Sequence, residues 1–337
     1  MLLRLLLLCG VLVPAAVAQP SGPLFPIIKN GQFGFIDATG RVVIAPQFDG
    51  AQPSSEGRVA VRVGEVWGFA DHTGSIVITP QYDAVFPFAE GRARVRLGDR
   101  WGFIDTEGNF VAEPDYEAVL DYAGGRAPAR KAPGTVVGAR PSWSYLALDG
   151  AVAVKPSFSR ALPFSEDLAA VEVVKKVLMV RTSTRWGFID TDGAWVIEPQ
   201  FSSARSFSEG LALVKQGKNW GFIDRTGNVV VEVDYAQVFP FSDSLARVSE
   251  EGRWGFINRQ GQPVIGFQFD QAGDFEEGLA VARLGDRWGF IDTEGRFAIP
   301  AIYERARSFS GGLAYVTLDG QAGYIDKTGA FVLKQGE

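Results

Sequence analysis

Histidine and cysteine are almost missing from this 337-residue chain: His72 is the one histidine and Cys9 the one cysteine. A transition-metal site needs several nitrogen or sulfur ligands, and a His-based triad needs a nucleophile and an orienting acid around its base. His72 lies in an ordinary turn, Asp71-His72-Thr73-Gly74, and reads as a solvated turn residue. No Asn-x-Ser/Thr glycosylation acceptor occurs, and no apolar run is long enough to span a bilayer. No Asp-x-Asp-x-Asp-Gly calcium loop occurs either; Asp190-Thr191-Asp192 comes nearest, and turn chemistry already accounts for it. No catalytic residue, cofactor or metal ligand is therefore expected.

The first residues read as an export leader. Met1 to Arg4 is a short basic start, Leu5 to Val13 an apolar run, and Ala16-Val17-Ala18 a small-residue cleavage pattern. A lipoprotein reading of Cys9 is weaker, because the cysteine is inside the apolar run and follows Leu8. Cleavage after Ala18 removes Cys9, so the mature chain has no disulfide and depends on packing alone. The expected location is the periplasm, the cell surface or the outside. Loss of Arg4 leaves 32 basic against 39 acidic residues, a net charge of −7. That balance argues against nucleic acid and against anionic membrane surfaces as partners. A mean hydropathy of +0.05 and 46% hydrophobic residues are values of an ordered globular chain.

What is present is repetition. A block read as Trp-Gly-Phe-Ile-Asp-x-x-Gly recurs nine times, its first glycine at Gly34, Gly68, Gly102, Gly187, Gly221, Gly255, Gly289 and Gly323, with Ser144 as the one substitution. The spacing is 34 residues except for two steps of 42 and 43. So strict a period means one unit copied and stacked, filling residues 19–337 as a single array with repeats over about 24–333.

One unit reads as three strands. Leu211 to Lys215 and Trp220 to Asp224 flank a turn, and Val229 to Val231 follows Asp224-Arg225-Thr226-Gly227. Aspartate first and glycine fourth suit a type I turn that ends in a left-handed residue. A connector follows, with an aromatic (Phe201), a small apolar residue three on (Ala204) and another aromatic three further (Phe207). That spacing predicts a short helical turn with one buried stripe. In the second strand Trp220 and Phe222 face one way, Gly221 and Ile223 the other, and neighbouring units are the natural cover on both sides. The tryptophans Trp67, Trp101, Trp143, Trp186, Trp220, Trp254 and Trp288 are expected to be the buried joints. On that reading Trp220→Ala costs about 3–5 kcal/mol.

Trp-Gly-Phe-Ile-Asp, the later glycine, the Pro-x-aromatic step and Phe-Ser-Glu-Gly-Leu-Ala together resemble the WG-repeat (KWG-type) family of bacterial proteins. The resemblance runs from Leu24 to Leu333. It implies an exported or surface-linked repeat protein of β-strands and brings no catalytic residues. The fold class expected is all-β: nine three-stranded repeats of about 34 residues in an open superhelical array, with propeller-like closure as the alternative. Phe33 and Ala322 at the tryptophan position of the end units favour capped, open ends.

Function is expected where the rhythm fails. Both insertions, residues 126–142 and 172–185, fall between first and second strands of adjacent units. They carry Arg126, Arg130, Lys131, Arg140, Lys175, Lys176, Arg181 and Arg185 against one acid, Glu172. The plainer account is tolerated surface drift with solubilising charges. The sharper one is a binding patch for an envelope protein or anionic envelope polymer. The expected function is thus an exported, non-enzymatic binding or scaffold module. The alternatives are an envelope hydrolase with a carboxylate pair, and a purely structural envelope component. Ligand identity and oligomeric state are not legible in the sequence.

Overall fold

The computed structural model describes residues 22–131, 142–177 and 181–335; the expected leader lies outside them. Among the described residues every regular element is a strand. In the sixth unit Leu211–Gln216 pairs antiparallel with Asn219–Ile223, which pairs with Val229–Val233. Gly227, at φ 91°, closes the turn between the last two by donating to the Asp224 carbonyl at 3.0 Å. The Asp224 carboxylate accepts from the backbone N–H of Thr226 at 2.9 Å and of Asn228 at 3.0 Å. This is the expected turn, its aspartate holding the orphan donors.

The connector is not a helical turn. It is a strand, Ser203–Ser208, paired to the first strand of its own unit. Ala204 opposes Val214 and Phe207 opposes Ala212, so the connector holds one residue more than its partner between these pairs. A strand places i and i+2 on one face, and one bulged residue turns that spacing into i and i+3. The stripe is buried as expected, with Ala204 and Phe207 both at 2% exposure or less. Each later unit is accordingly a four-stranded meander, while the first keeps three strands, Phe25–Lys29, Gln32–Ile36 and Val42–Phe48. The third and fourth units share the ten-residue strand Phe110–Val119 and so form one seven-stranded sheet.

The all-β array of nine stacked units stands. Phe222 packs forward with Phe241, Val248 and Ile257 of the seventh unit, and Ile223 packs backward with Phe188 and Phe201 of the fifth. Nine such apolar clusters occur among the described residues, eight of them between consecutive units. The ninth joins the last unit to the first: Leu313 and Tyr324 meet Phe25, Ile27 and Ile36. A second contact repeats across the same gap. A Cβ on Gly74 would stand 2.9 Å from Ile44 of the preceding unit, and one on Gly40 would stand 2.7 Å from Val332 of the last. The expectation of free, capped ends is corrected on this point, and the ends take up the propeller-like closure held as the alternative. The end units are atypical because their joint differs. Gly311 replaces the usual glutamate, and a Cβ there would lie 2.7 Å from Pro23 and 3.1 Å from the Phe25 ring.

The tryptophans are corrected as well. Only Trp186 is buried; Trp67, Trp101, Trp143, Trp220, Trp254 and Trp288 are half-buried. Each stands beside the hairpin between first and second strands, at the margin of its sheet. A cation from the opposing strand lies over several of them: Arg96 on Trp101 at 5.8 Å, Lys215 on Trp220 at 5.5 Å, Arg283 on Trp288 at 5.8 Å. The buried joint is the aromatic two residues later: Phe69, Phe103, Tyr145, Phe188, Phe222, Phe256 and Phe290 are all at 1% exposure or less. The glycine after the tryptophan serves close approach. A Cβ on Gly102 would meet the Ala112 carbonyl at 2.5 Å, because the third strand bulges toward it. At the one substitution, the Ser144 hydroxyl donates to the Ala129 carbonyl at 2.9 Å.

Candidate functional site

The two insertions fall at the same edge of adjacent units, and residues 132–141 of the first lie outside the described residues. The second is a lengthened hairpin, Ala169–Val177 paired with Arg181–Ile189. The first follows Arg126–Lys131, which pairs with Trp143–Ala147. Below them the fourth and fifth units enclose a depression of about 450 Å³ walled by Trp143 and Trp186. Arg130, Arg160, Arg205 and Glu172 also line it.

The candidate patch divides. Arg126 begins its strand opposite Ala147, at the far end from Trp143, and its guanidinium donates to the Thr191 carbonyl at 3.1 Å. It is a link between units on the other face. Arg130 opposes Trp143, lies 5.4 Å over its ring and pairs with Glu117 at 3.6 Å. Lys131 pairs with Asp115 at 2.5 Å, and that bond raises the ammonium above its usual range. Arg185 is partly exposed and donates to the Thr184 carbonyl at 2.8 Å. Arg140 and the side chains of Lys175, Lys176 and Arg181 lie outside the described residues.

Two groove residues escaped the sequence reading. Arg160 lies 3.9 Å from Glu172. Arg205 is exposed and makes no ion pair among the described residues. Its place in the connector is held by Leu120 in the fourth unit, Leu162 in the fifth and Arg307 in the ninth, so position alone did not single it out.

His72 is corrected: it is buried, at 7% exposure. Arg58, Arg92 and Arg126 reach forward to the second turn residue of the next unit, at the Thr106, Leu148 and Thr191 carbonyls. In the first unit that arginine position is Leu24. The repeated acids have structural partners. The Glu56 carboxylate accepts from the Gly91 N–H at 2.8 Å, and Glu90 accepts from Gly124 and Gly125 at 2.8 Å each, tying each unit to the next.

This geometry defines a class: an all-β tandem-repeat protein whose units pack face to face in a closed succession, with one edge elaborated by hairpins. The chain belongs to the family whose model is described as a WG containing repeat, which matches residues 33–67, 67–101, 101–132, 143–176, 186–220, 220–254, 254–288 and 288–321. Among curated proteins no sequence matches it. Among solved structures its fold is similar to a crystal structure of "the eukaryotic initiation factor", with a TM-score of 0.62 and 12% identity over 93% of this chain and 96% of that one. It also shows similarity to apo AztD from Citrobacter koseri, with a TM-score of 0.42 and 13% identity over 94% of this chain and 93% of that one. A third is the β-propeller domain of the Trilobed protease from Pyrococcus furiosus, with a TM-score of 0.40 and 12% identity over 83% of this chain and 97% of that one. At such identities the first of these shows the fold alone.

Proposed function

We propose that this chain is an exported, non-enzymatic binding or scaffold module that uses the hairpin edge of its fourth and fifth units to hold an envelope protein or anionic envelope polymer. One observation carries the reading. A lengthened hairpin in the fifth unit and the strand Arg126–Lys131 that enters the first insertion border a single groove whose lining includes three arginines and one glutamate, on a chain whose net charge is −6. Long loops on a rigid repeat scaffold are where repeat proteins place recognition. Local positive charge on an acidic chain steers an anion to one place while the remaining surface repels it.

The test compares the immobilised full chain with a variant carrying Arg205, Lys175, Lys176 and Arg185 reversed to glutamate. Both are challenged with envelope extract and with polygalacturonate at several salt concentrations. Salt-sensitive capture that disappears in the reversed variant is the expected result. Capture that persists in the variant, or no capture by either form, overturns the reading.

A further inference from the structure

A second groove repeats the first, three units further on. It lies between the seventh and eighth units, is about 420 Å³ in volume and is walled by Trp254 and Trp288. That is within the roughly 300–1,000 Å³ of small-ligand sites. One position in the connector sets its lining apart from that of the first groove. At this place the third, fourth, fifth and seventh units carry Phe86, Leu120, Leu162 and Phe239, and the eighth carries Gly273. The residue eight positions on belongs to the first strand of the same unit: Ala170 partners Leu162, and Val281 partners Gly273. The fifth unit packs a large chain over a small one there. In the eighth a Cβ on Gly273 would lie 2.7 Å from Val281 Cγ1, so the valine takes room that a larger connector residue takes elsewhere, and both residues line the groove.

The charges lining this groove are already committed, unlike Arg205 of the first groove. Arg247 pairs with Asp274 at 3.0 Å, donates to the Ala272 carbonyl and stacks 4.9 Å over Trp254. Asp270 pairs with Arg253 at 2.9 Å and accepts from the Gly285 N–H at 2.7 Å. What remains for a ligand is Gln237 and Gln271, both exposed and lining the groove, between two half-buried indoles. A primary amide both donates and accepts, which matches a hydroxyl that does the same. An indole offers a broad apolar surface with little entropy to lose.

We propose that the groove between the seventh and eighth units is a binding site for neutral carbohydrate, pyranose rings seated against Trp254 and Trp288 with hydroxyls bonded to Gln237 and Gln271. This site is independent of the groove assigned to anions. A neutral ligand fits because the two charged residues that line the space, Arg247 and Asp270, are both paired, so an ionic ligand would compete with pairs already made.

The purified full-length chain is applied to an array of neutral and uronate-containing oligosaccharides. Two variants accompany it, Trp288→Ala and the double variant G273L/V281A. The double variant copies the Leu162/Ala170 pair that the fifth unit already packs, so it puts a leucine where the groove has glycine, in a combination this fold accepts. Capture of neutral oligosaccharides is expected, weakened about tenfold or more in both variants and unchanged in Arg205→Glu. No capture of neutral sugars, or capture that is undiminished in G273L/V281A, overturns the proposal. Capture of uronate-containing sugars alone, lost in Arg205→Glu, overturns it too while supporting the anionic groove.

Discussion

The Tyr324 hydroxyl donates to the Pro26 carbonyl at 3.0 Å, across 298 residues of chain. Its ring lies 5.5 Å from Phe25 and 5.1 Å from Tyr315. Every other joint in the array is made between units that follow one another along the chain, so its loop closure is local. This joint alone must recover the entropy of bringing the two ends together, which grows only as the logarithm of loop length. The closed form therefore depends on the ninth apolar cluster being nearly as good as the other eight.

Tyr324→Ala should cost about 3–5 kcal/mol, as large aromatic deletions in cores do. Because the loss falls on the closing joint, the scattering radius of gyration should rise before the sheets melt. Tyr324→Phe keeps the ring and removes one hydrogen bond, a loss of about 1 kcal/mol. Burial pushes the Tyr324 phenol up to about 12. An unfolded tyrosine titrates near 10, so the folded state holds this proton more tightly. Its contribution is complete below about pH 10 and is lost as pH rises through the folded value. The alkaline fall in unfolding free energy, measured by urea titration, should be shallower in Tyr324→Phe than in the parent. Equal slopes would show that this phenol does not close the ring.

Phe222→Ala should be more damaging than Trp220→Ala. Phe222 is fully buried in the joint to the seventh unit, whereas Trp220 is half-buried at the margin under Lys215. We expect about 3–5 kcal/mol for Phe222→Ala and roughly half that for Trp220→Ala. Urea unfolding of the two variants side by side decides the order. A larger loss in Trp220→Ala would restore the tryptophan as the packing joint.

The period, the strand content and the Asp-x-x-Gly turns were legible because each rests on local chemistry repeated nine times. Phe222 facing forward and Ile223 facing backward followed from strand alternation alone. The connector was misread because the spacing of Phe201, Ala204 and Phe207 is shared by a helical turn and a bulged strand, and only the partner Leu211–Gln216 tells them apart. Closure was not legible because the contact of Tyr324 with Pro26 leaves no local mark. The anionic groove was half legible: the hairpins announced themselves by length, but Arg205 comes from a third unit that only the fold brings beside Trp186. The second groove was not legible because its lining comes from the seventh, eighth and ninth units, which only the fold brings together.

Gly102→Ala should destabilise more than Gly221→Ala. Both glycines follow a tryptophan, but the third strand bulges over Gly102, where a Cβ would lie 2.5 Å from the Ala112 carbonyl. In the sixth unit Gly221 opposes Glu232 in plain register, and a Cβ would lie 3.0 Å from the Val231 carbonyl. Backbone cannot yield as a side-chain tip can, so we expect about 2–4 kcal/mol at Gly102 and about 1 kcal/mol at Gly221. Thermal unfolding of the two alanine variants measures the difference. Equal losses would mean that the bulge does not select the glycine.

The turn aspartates should make the array acid-sensitive. The Thr226 hydroxyl, against a small burial effect, and the backbone N–H groups of Asn228 and Thr226 hold the Asp224 carboxyl below its usual range. Thr39 does the same for Asp37, and Thr328 for Asp326. A carboxyl whose folded pKa is depressed contributes stability above its unfolded value, near 3.9, that is lost as pH falls through the folded one. Each aspartate is half-buried at the surface, so each contribution is small, and solvent screens it further. The seventh unit carries Asn258 at this position, and its side-chain oxygen accepts from Gln260 and Gln262 at 3.0 Å each. Asparagine therefore keeps the turn without the charge. Asp37, Asp224 and Asp326 changed together to asparagine should flatten the fall in urea midpoint below about pH 4 while leaving the fold intact at neutral pH. An unchanged acid limb in the triple variant would place the acid sensitivity elsewhere, with the glutamates that tie one unit to the next as the first candidates.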